Sequence, residues 1–187
     1  MIRVESEYRV MGAENNYKLA KISLWRMFVA RGVLALIMSV LFYFTSVKVD
    51  ILILQLGGYI FLDGCISIWM GGLSHQKNFM VFGSIAVLIG VYAFYPVRID
   101  NFCLLSLVCA WAWLRGIFEI AVATKFYHKE YVKHAFIGSG VLCVVIGAIS
   151  ACLHPSQVSN LMWFFSIFYF SLGCICLMVG IHAYRTL

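Results

Sequence analysis

The sequence predicts an all-α integral membrane protein: six transmembrane helices in three tandem, parallel helical hairpins, with both termini cytoplasmic. Three observations predict it: an extreme composition, six apolar stretches of spanning length, and positive charge concentrated on alternate connections. Of the 187 residues, 63% are hydrophobic and only 12% are charged. Soluble domains carry about 25% charged residues, and a chain this poor in charge cannot cover itself with polar surface in water. In hydrocarbon, each spanning segment must satisfy its own backbone N–H and C=O groups, as a helix does.

The apolar stretches are Arg26–Phe44, Ile51–Met70, Phe79–Tyr95, Phe102–Ala123, Ala135–Leu153 and Ser159–His182. Each has about the 17–25 residues that a hydrocarbon slab of about 30 Å requires. The breakers and charges fall between them, in Thr45–Asp50, Gly71–Asn78, Pro96–Asn101, Thr124–His134 and His154–Val158. Pro96 and Pro155 follow odd-numbered helices, where a missing N–H does no harm. Residues 1–24 read as a short polar cytoplasmic segment and 25–187 as the membrane domain. No apolar run begins early enough for a cleavable signal, because Met1 to Lys21 is polar and mixed in charge, so the first helix is expected to be permanent.

Orientation follows from lysine and arginine. With the N-terminus inside, the cytoplasmic side holds Arg3, Arg9, Lys18, Lys21, Arg26, Lys77, Lys125, Lys129, Lys133 and Arg185, and the outer side only Lys48 and Arg98. That asymmetry is the positive-inside pattern. Trp25, at the start of helix 1, stands where an interfacial aromatic anchor belongs.

An internal repeat runs through the chain, in units of about 25–72, 78–124 and 134–185. Gly32, Gly83 and Gly140 align in the odd helices, and Gly64, Gly116 and Gly173 follow at offsets of 32, 33 and 33 residues in the even ones. Seven residues after each first glycine come Ser39, Gly90 and Gly147; five before each second glycine come Tyr59, Trp111 and Phe168. Small residues seven apart share one helix face. Lipid offers no hydrophobic drive between helices, so such a face works by close backbone approach. The glycines are therefore expected to be helix-packing seams rather than hinges or ligand sites.

The runs Arg31-Gly32-Val33-Leu34-Ala35-Leu36-Ile37, Gly58-Tyr59-Ile60-Phe61-Leu62-Asp63-Gly64 and Ala110-Trp111-Ala112-Trp113-Leu114-Arg115-Gly116-Ile117-Phe118-Glu119 carry a family resemblance. With the Gly140, Gly147 and Pro155 series, they resemble the repeat of the acid-resistance membrane protein HdeD family over about residues 25–185. The first unit departs from that pattern, with Ser39 in place of glycine and no proline after its first helix; the third has the uncharged Leu172 before its second glycine. The resemblance implies a bacterial inner-membrane protein of six helices, associated in some members with acid survival. It implies no catalytic residues.

Four ionisable residues fall within the spans: Arg31, Asp63, Arg115 and Glu119. An arginine or aspartate at the centre of an inserting helix costs at least about 2.5–3.5 kcal/mol, so such residues usually face the bundle interior and pair. Arg115 and Glu119, at i and i+4, share a face. The repeat maps Asp63 onto Arg115 and Ser67 onto Glu119, giving stripes Tyr59–Asp63–Ser67, Trp111–Arg115–Glu119 and an uncharged Phe168–Leu172–Cys176. Two cations and two anions sum to zero, as a buried network should. Arg31 lies near its helix end, where its side chain has the alternative of snorkelling to the headgroups. The charges either lock the hairpins together or sense protons; the first reading needs fewer assumptions.

The remaining chemistry-bearing residues point elsewhere. The histidines sit at span edges, His75, His128, His134 and His182 inside and His154 outside, with no spacing for a metal or haem. Lys125, Lys129 and Lys133 keep their loop inside and attract anionic lipid. The seven cysteines lie mostly in apolar runs, as small hydrophobes do; Cys103 and Cys152, near outer helix ends, leave a disulfide open. No nucleophile with its base and no phosphate-cradling loop is present, so no enzyme and no cofactor is expected. Membrane lipid is the expected partner, with a homo-oligomer or a protein partner left open and nucleic acid not expected. Two function classes remain: a non-catalytic membrane stress protein, and a small channel or proton- or ion-coupled transporter whose path passes Asp63, Arg115 and Glu119.

Overall fold

The structure, a computed structural model, describes residues 25–44, 49–73, 76–94, 101–126, 130–152 and 158–185. These form six helices: α1 (Trp25–Phe44), α2 (Val49–Leu73), α3 (Lys77–Ala93), α4 (Asn101–Phe126), α5 (Glu130–Cys152) and α6 (Val158–Arg185). There is no strand among the described residues. All but α3 are long and apolar enough to cross a membrane. At 17 residues, α3 extends about 25 Å, a little short of a hydrocarbon core of about 30 Å.

The outward faces are apolar, unlike those of a soluble bundle. Phe44, Leu88, Ile167 and Met178 are among many large exposed hydrophobic side chains. A solvent of hydrocarbon makes such faces stable, and the helices accordingly read as apolar all round rather than amphipathic. Trp25 meets Tyr184 at 5.2 Å between ring centroids, and the Arg26 guanidinium lies 5.6 Å from the Trp25 ring. The start of α1 and the end of α6 thus share one aromatic and cationic cluster, the composition of a membrane–water interface.

Glycines decide which helices lie closest. A Cβ placed on Gly64 would fall 2.8 Å from the Gly83 carbonyl oxygen, and one on Gly83 2.7 Å from that of Gly64. Gly116 and Gly140 oppose each other in the same way, at 2.6 and 2.8 Å. Gly173 meets the Gly32 carbonyl oxygen at 3.0 Å, while Gly32 meets Leu177. Above these crossings Gly90 abuts the backbone of Phe61, and Gly147 abuts the Trp113 ring. A side chain at Gly64, Gly83, Gly116 or Gly140 would meet fixed backbone, so the helices would have to move apart. The close pairs are therefore α2–α3, α4–α5 and α6–α1.

This pairing is offset by one helix from the hairpins grouped in the sequence reading. Each glycine seam joins an even helix to the next odd one, and the last to the first. Ser39 takes the glycine position in the α6–α1 seam. Its hydroxyl donates to the Ser166 carbonyl at 2.8 Å, and the Ser166 hydroxyl donates to the Ser39 carbonyl at 3.0 Å. Two reciprocal hydrogen bonds replace the bare backbone contact of the other seams.

At the start of α3 the Gln76 amide donates to the Gly71 carbonyl at 3.0 Å, and the Phe79 amide to the Gln76 carbonyl at 3.1 Å, so these backbone groups are paired. The core behind the seams is aromatic. Phe82 stacks on Phe118 at 4.1 Å and on Trp111 at 5.6 Å, and Phe42 stacks on Tyr169 at 5.4 Å.

Candidate functional site

All four intramembrane charges are buried and gathered in one network. Asp63, on α2, has no exposed surface. Its Oδ1 lies 3.0 Å from Arg31 Nε of α1, and its Oδ2 pairs with Arg115 Nη1 of α4. Arg115 turns its other edge to Glu119 one turn further along α4: Nε donates to Oε1 at 3.1 Å, and Nη2 lies 3.1 Å from the same oxygen. One guanidinium therefore bridges two carboxylates, a use of its planar fork that a lysine could not copy.

Two serines complete the network. Arg31 Nη2 donates to Ser67 Oγ at 2.7 Å, and Ser67 Oγ donates to the Asp63 carbonyl at 2.7 Å. Ser139 of α5 donates its hydroxyl to Glu119 Oε2. The Arg31–Asp63 contact is close but off-axis, so Arg31 Nε and Asp63 Oδ1 pair by charge without a hydrogen bond. The network runs from α1 through α2 and α4 to α5.

Arg31 does not snorkel. It is 4% exposed, and its guanidinium is held inside the bundle by Asp63 and Ser67. Ser139 is the residue that sequence reasoning missed. It stands immediately before Gly140, as Arg31 stands before Gly32 and Phe82 before Gly83. That shared phase was the available signal. Phe82 occupies the same phase in α3, and there the position is filled by stacked rings rather than by a polar contact. The other even-helix stripe, Phe168–Leu172–Cys176, is partly to fully buried and uncharged.

Beside the network lies a small cavity of about 20 Å³, lined by Tyr59, Trp111, Arg115, Cys143, Tyr169 and Leu172 among others. One water needs about 10–15 Å³, so the space admits little more than one. The Arg115 guanidinium is 6.0 Å from the Tyr59 ring centroid, within range of a cation–π attraction. Trp111 Nε1 is buried there without a hydrogen-bond partner.

Among the described residues no three His, Cys, Asp or Glu side chains are placed to hold a metal. His134 and His182 are exposed. His75, His128 and His154 lie outside the described residues, as do Lys129 and the side chain of Lys125. The side chain of Cys103, and with it the disulfide left open to Cys152, also lies outside them. No family model, curated protein sequence or solved structure matches the chain.

Proposed function

We propose that the chain is a non-enzymatic bacterial inner-membrane protein of the HdeD type, its six helices crossing the bilayer as tandem repeat units with both termini cytoplasmic. In this reading it supports survival of acid or a related stress through its fold and its contacts with lipid or a protein partner. The observation that carries the reading is a charge network that closes on itself. Arg31, Asp63, Arg115 and Glu119 bind one another and two serines, and the cavity beside them holds about 20 Å³.

A conducting pore needs polar groups or water in series from one face to the other. Many secondary transporters also break their helices around a midplane site. Here the described spans are continuous helices, and their contacts beyond the network are largely glycine seams and aromatic rings. These features favour a structural use of the charges. The alternative is a small channel or a proton- or ion-coupled transporter using Asp63, Arg115 and Glu119.

Two experiments decide it. Cells lacking the gene should lose viability after an acid challenge and regain it on complementation; unchanged survival would sink the stress role. Liposomes holding the purified protein, given a pH step, should show no flux above empty liposomes. Flux abolished by Asp63→Asn or Glu119→Gln would install the transport reading instead.

A further inference from the structure

We propose that the groove between α3 and α4 seats one acyl chain of an anionic phospholipid, with the headgroup held at Lys77 and Asn78. The inference needs only the membrane-embedded bundle, and it stands or falls independently of a role in acid stress.

α3 and α4 follow each other in the chain but do not share a glycine seam; α3 closes on α2 and α4 on α5. Between them opens a groove of about 540 Å³, walled by Val81, Phe82 and Ile85 on one side and Leu114, Ile117 and Ala121 on the other. Its floor is built from the stacked Phe82 and Phe118 rings, 4.1 Å apart. In water such a groove would be an exposed apolar patch needing a partner; in a bilayer the partner at hand is lipid.

Three features select a lipid chain over another helix. First, the walls are bulky and branched. Among the described residues each close helix pair meets through glycine or serine, whereas Ile117, Leu114 and Ile85 would hold an incoming backbone away. A flexible chain fills irregular walls that a helix cannot approach.

Second, the groove is polar at one end only. Asn78 lines that end, and the exposed Lys77 precedes it, with no ion pair among the described residues. Both belong to the first turn of α3, whose N-cap Gln76 makes no side-chain capping bond. A lysine and the positive end of a helix dipole together favour a phosphate. Third, the depth matches one leaflet. From Asn78 to Ile85 is seven residues of helix, about 10 Å of rise, within half of a hydrocarbon core of about 30 Å.

The test is electron spin resonance on the full chain in phosphatidylcholine vesicles carrying trace phosphatidylglycerol or phosphatidylcholine, each nitroxide-labelled high on its acyl chain. Labelled phosphatidylglycerol should be the more strongly immobilised, and Lys77→Gln should lower the preference about fivefold, the effect of one lysine at an anionic surface. Ile117→Trp, which plugs the groove from its exposed side, should remove the immobilised phosphatidylglycerol component. Leu88→Trp, equally bulky on the open lipid-facing side of α3, should leave it. Equal immobilisation of the two lipids by the native chain would overturn the proposal. So would a preference that survives both Lys77→Gln and Ile117→Trp. Self-association of the native chain that Ile117→Trp abolishes would also overturn it, assigning the groove to a second copy.

Discussion

Asp63 lies between two guanidinium groups with no surface open to solvent, so its neighbours must supply all the stabilisation that water would otherwise give. Arg115 matters most, because it serves Asp63 and Glu119 together. Removing one partner of a buried ion pair strands the other, at a cost of about 3–5 kcal/mol. Arg115→Gln leaves Glu119 without a cation and Asp63 with Arg31 alone. It should therefore destabilise by at least that amount in sodium dodecyl sulfate titration of mixed micelles followed by far-ultraviolet circular dichroism. Arg31→Gln should cost less, because Asp63 keeps Arg115. A smaller loss for Arg115→Gln than for Arg31→Gln would refute this ordering. Ser139→Ala removes one hydrogen bond to Glu119. The same titration should show a loss of about 1–2 kcal/mol, between the values for soluble proteins and those for membrane interiors. If Ser139→Ala is silent, Glu119 needs only Arg115.

At the scale of helices, a seam is a place where a methyl group has nowhere to go. On Gly64 it would meet the Gly83 oxygen and the Val87 nitrogen, both at 2.8 Å and both backbone, so no rotamer change relieves it. Gly64→Ala should therefore separate α2 from α3 and cost about 1–3 kcal/mol, the usual range for overpacking. Gly72, eight residues further along α2, meets nothing within 4 Å. Gly72→Ala should be neutral or stabilising by up to about 1 kcal/mol, since alanine is the better helix former. The contrast, read by detergent titration of both variants, fails if the two behave alike. These glycines were legible in the sequence because their spacing fixes which face of a helix they share. Their partners were not, because spacing within one helix does not say which neighbour that face meets. Thus Gly64 finds Gly83 on the next helix, and Gly173 finds Gly32 on the first. The charges divide similarly. Arg115 and Glu119 were readable as an i,i+4 pair and Asp63 by its repeat phase, whereas Ser139 shares the phase of Arg31 before its glycine, a signal that does not name the carboxylate it meets.

Across the whole molecule, the α6–α1 seam joins the two ends of the membrane domain, so three close pairs and a network through α1, α2, α4 and α5 hold the helices as one body. The consequence is testable at Ser39 and Ser166, whose hydroxyl oxygens are 3.4 Å apart although the residues are 127 positions apart in the chain. That proximity brings two cysteines placed there within reach of a disulfide, whose sulfurs bond at about 2.05 Å. In a background free of the native cysteines, Ser39→Cys with Ser166→Cys should cross-link readily under mild oxidation in membranes. The product should migrate faster on a denaturing gel and revert on reduction. Ser39→Cys with Ser84→Cys should not cross-link within one chain, because Ser84 is exposed on α3 and hydrogen-bonds back to its own helix. Failure of the first pair would mean that α1 and α6 are not neighbours in the membrane. Arg31 would then lose the scaffold that holds it against Asp63, and the charge network would have to be redrawn around α2, α4 and α5 alone.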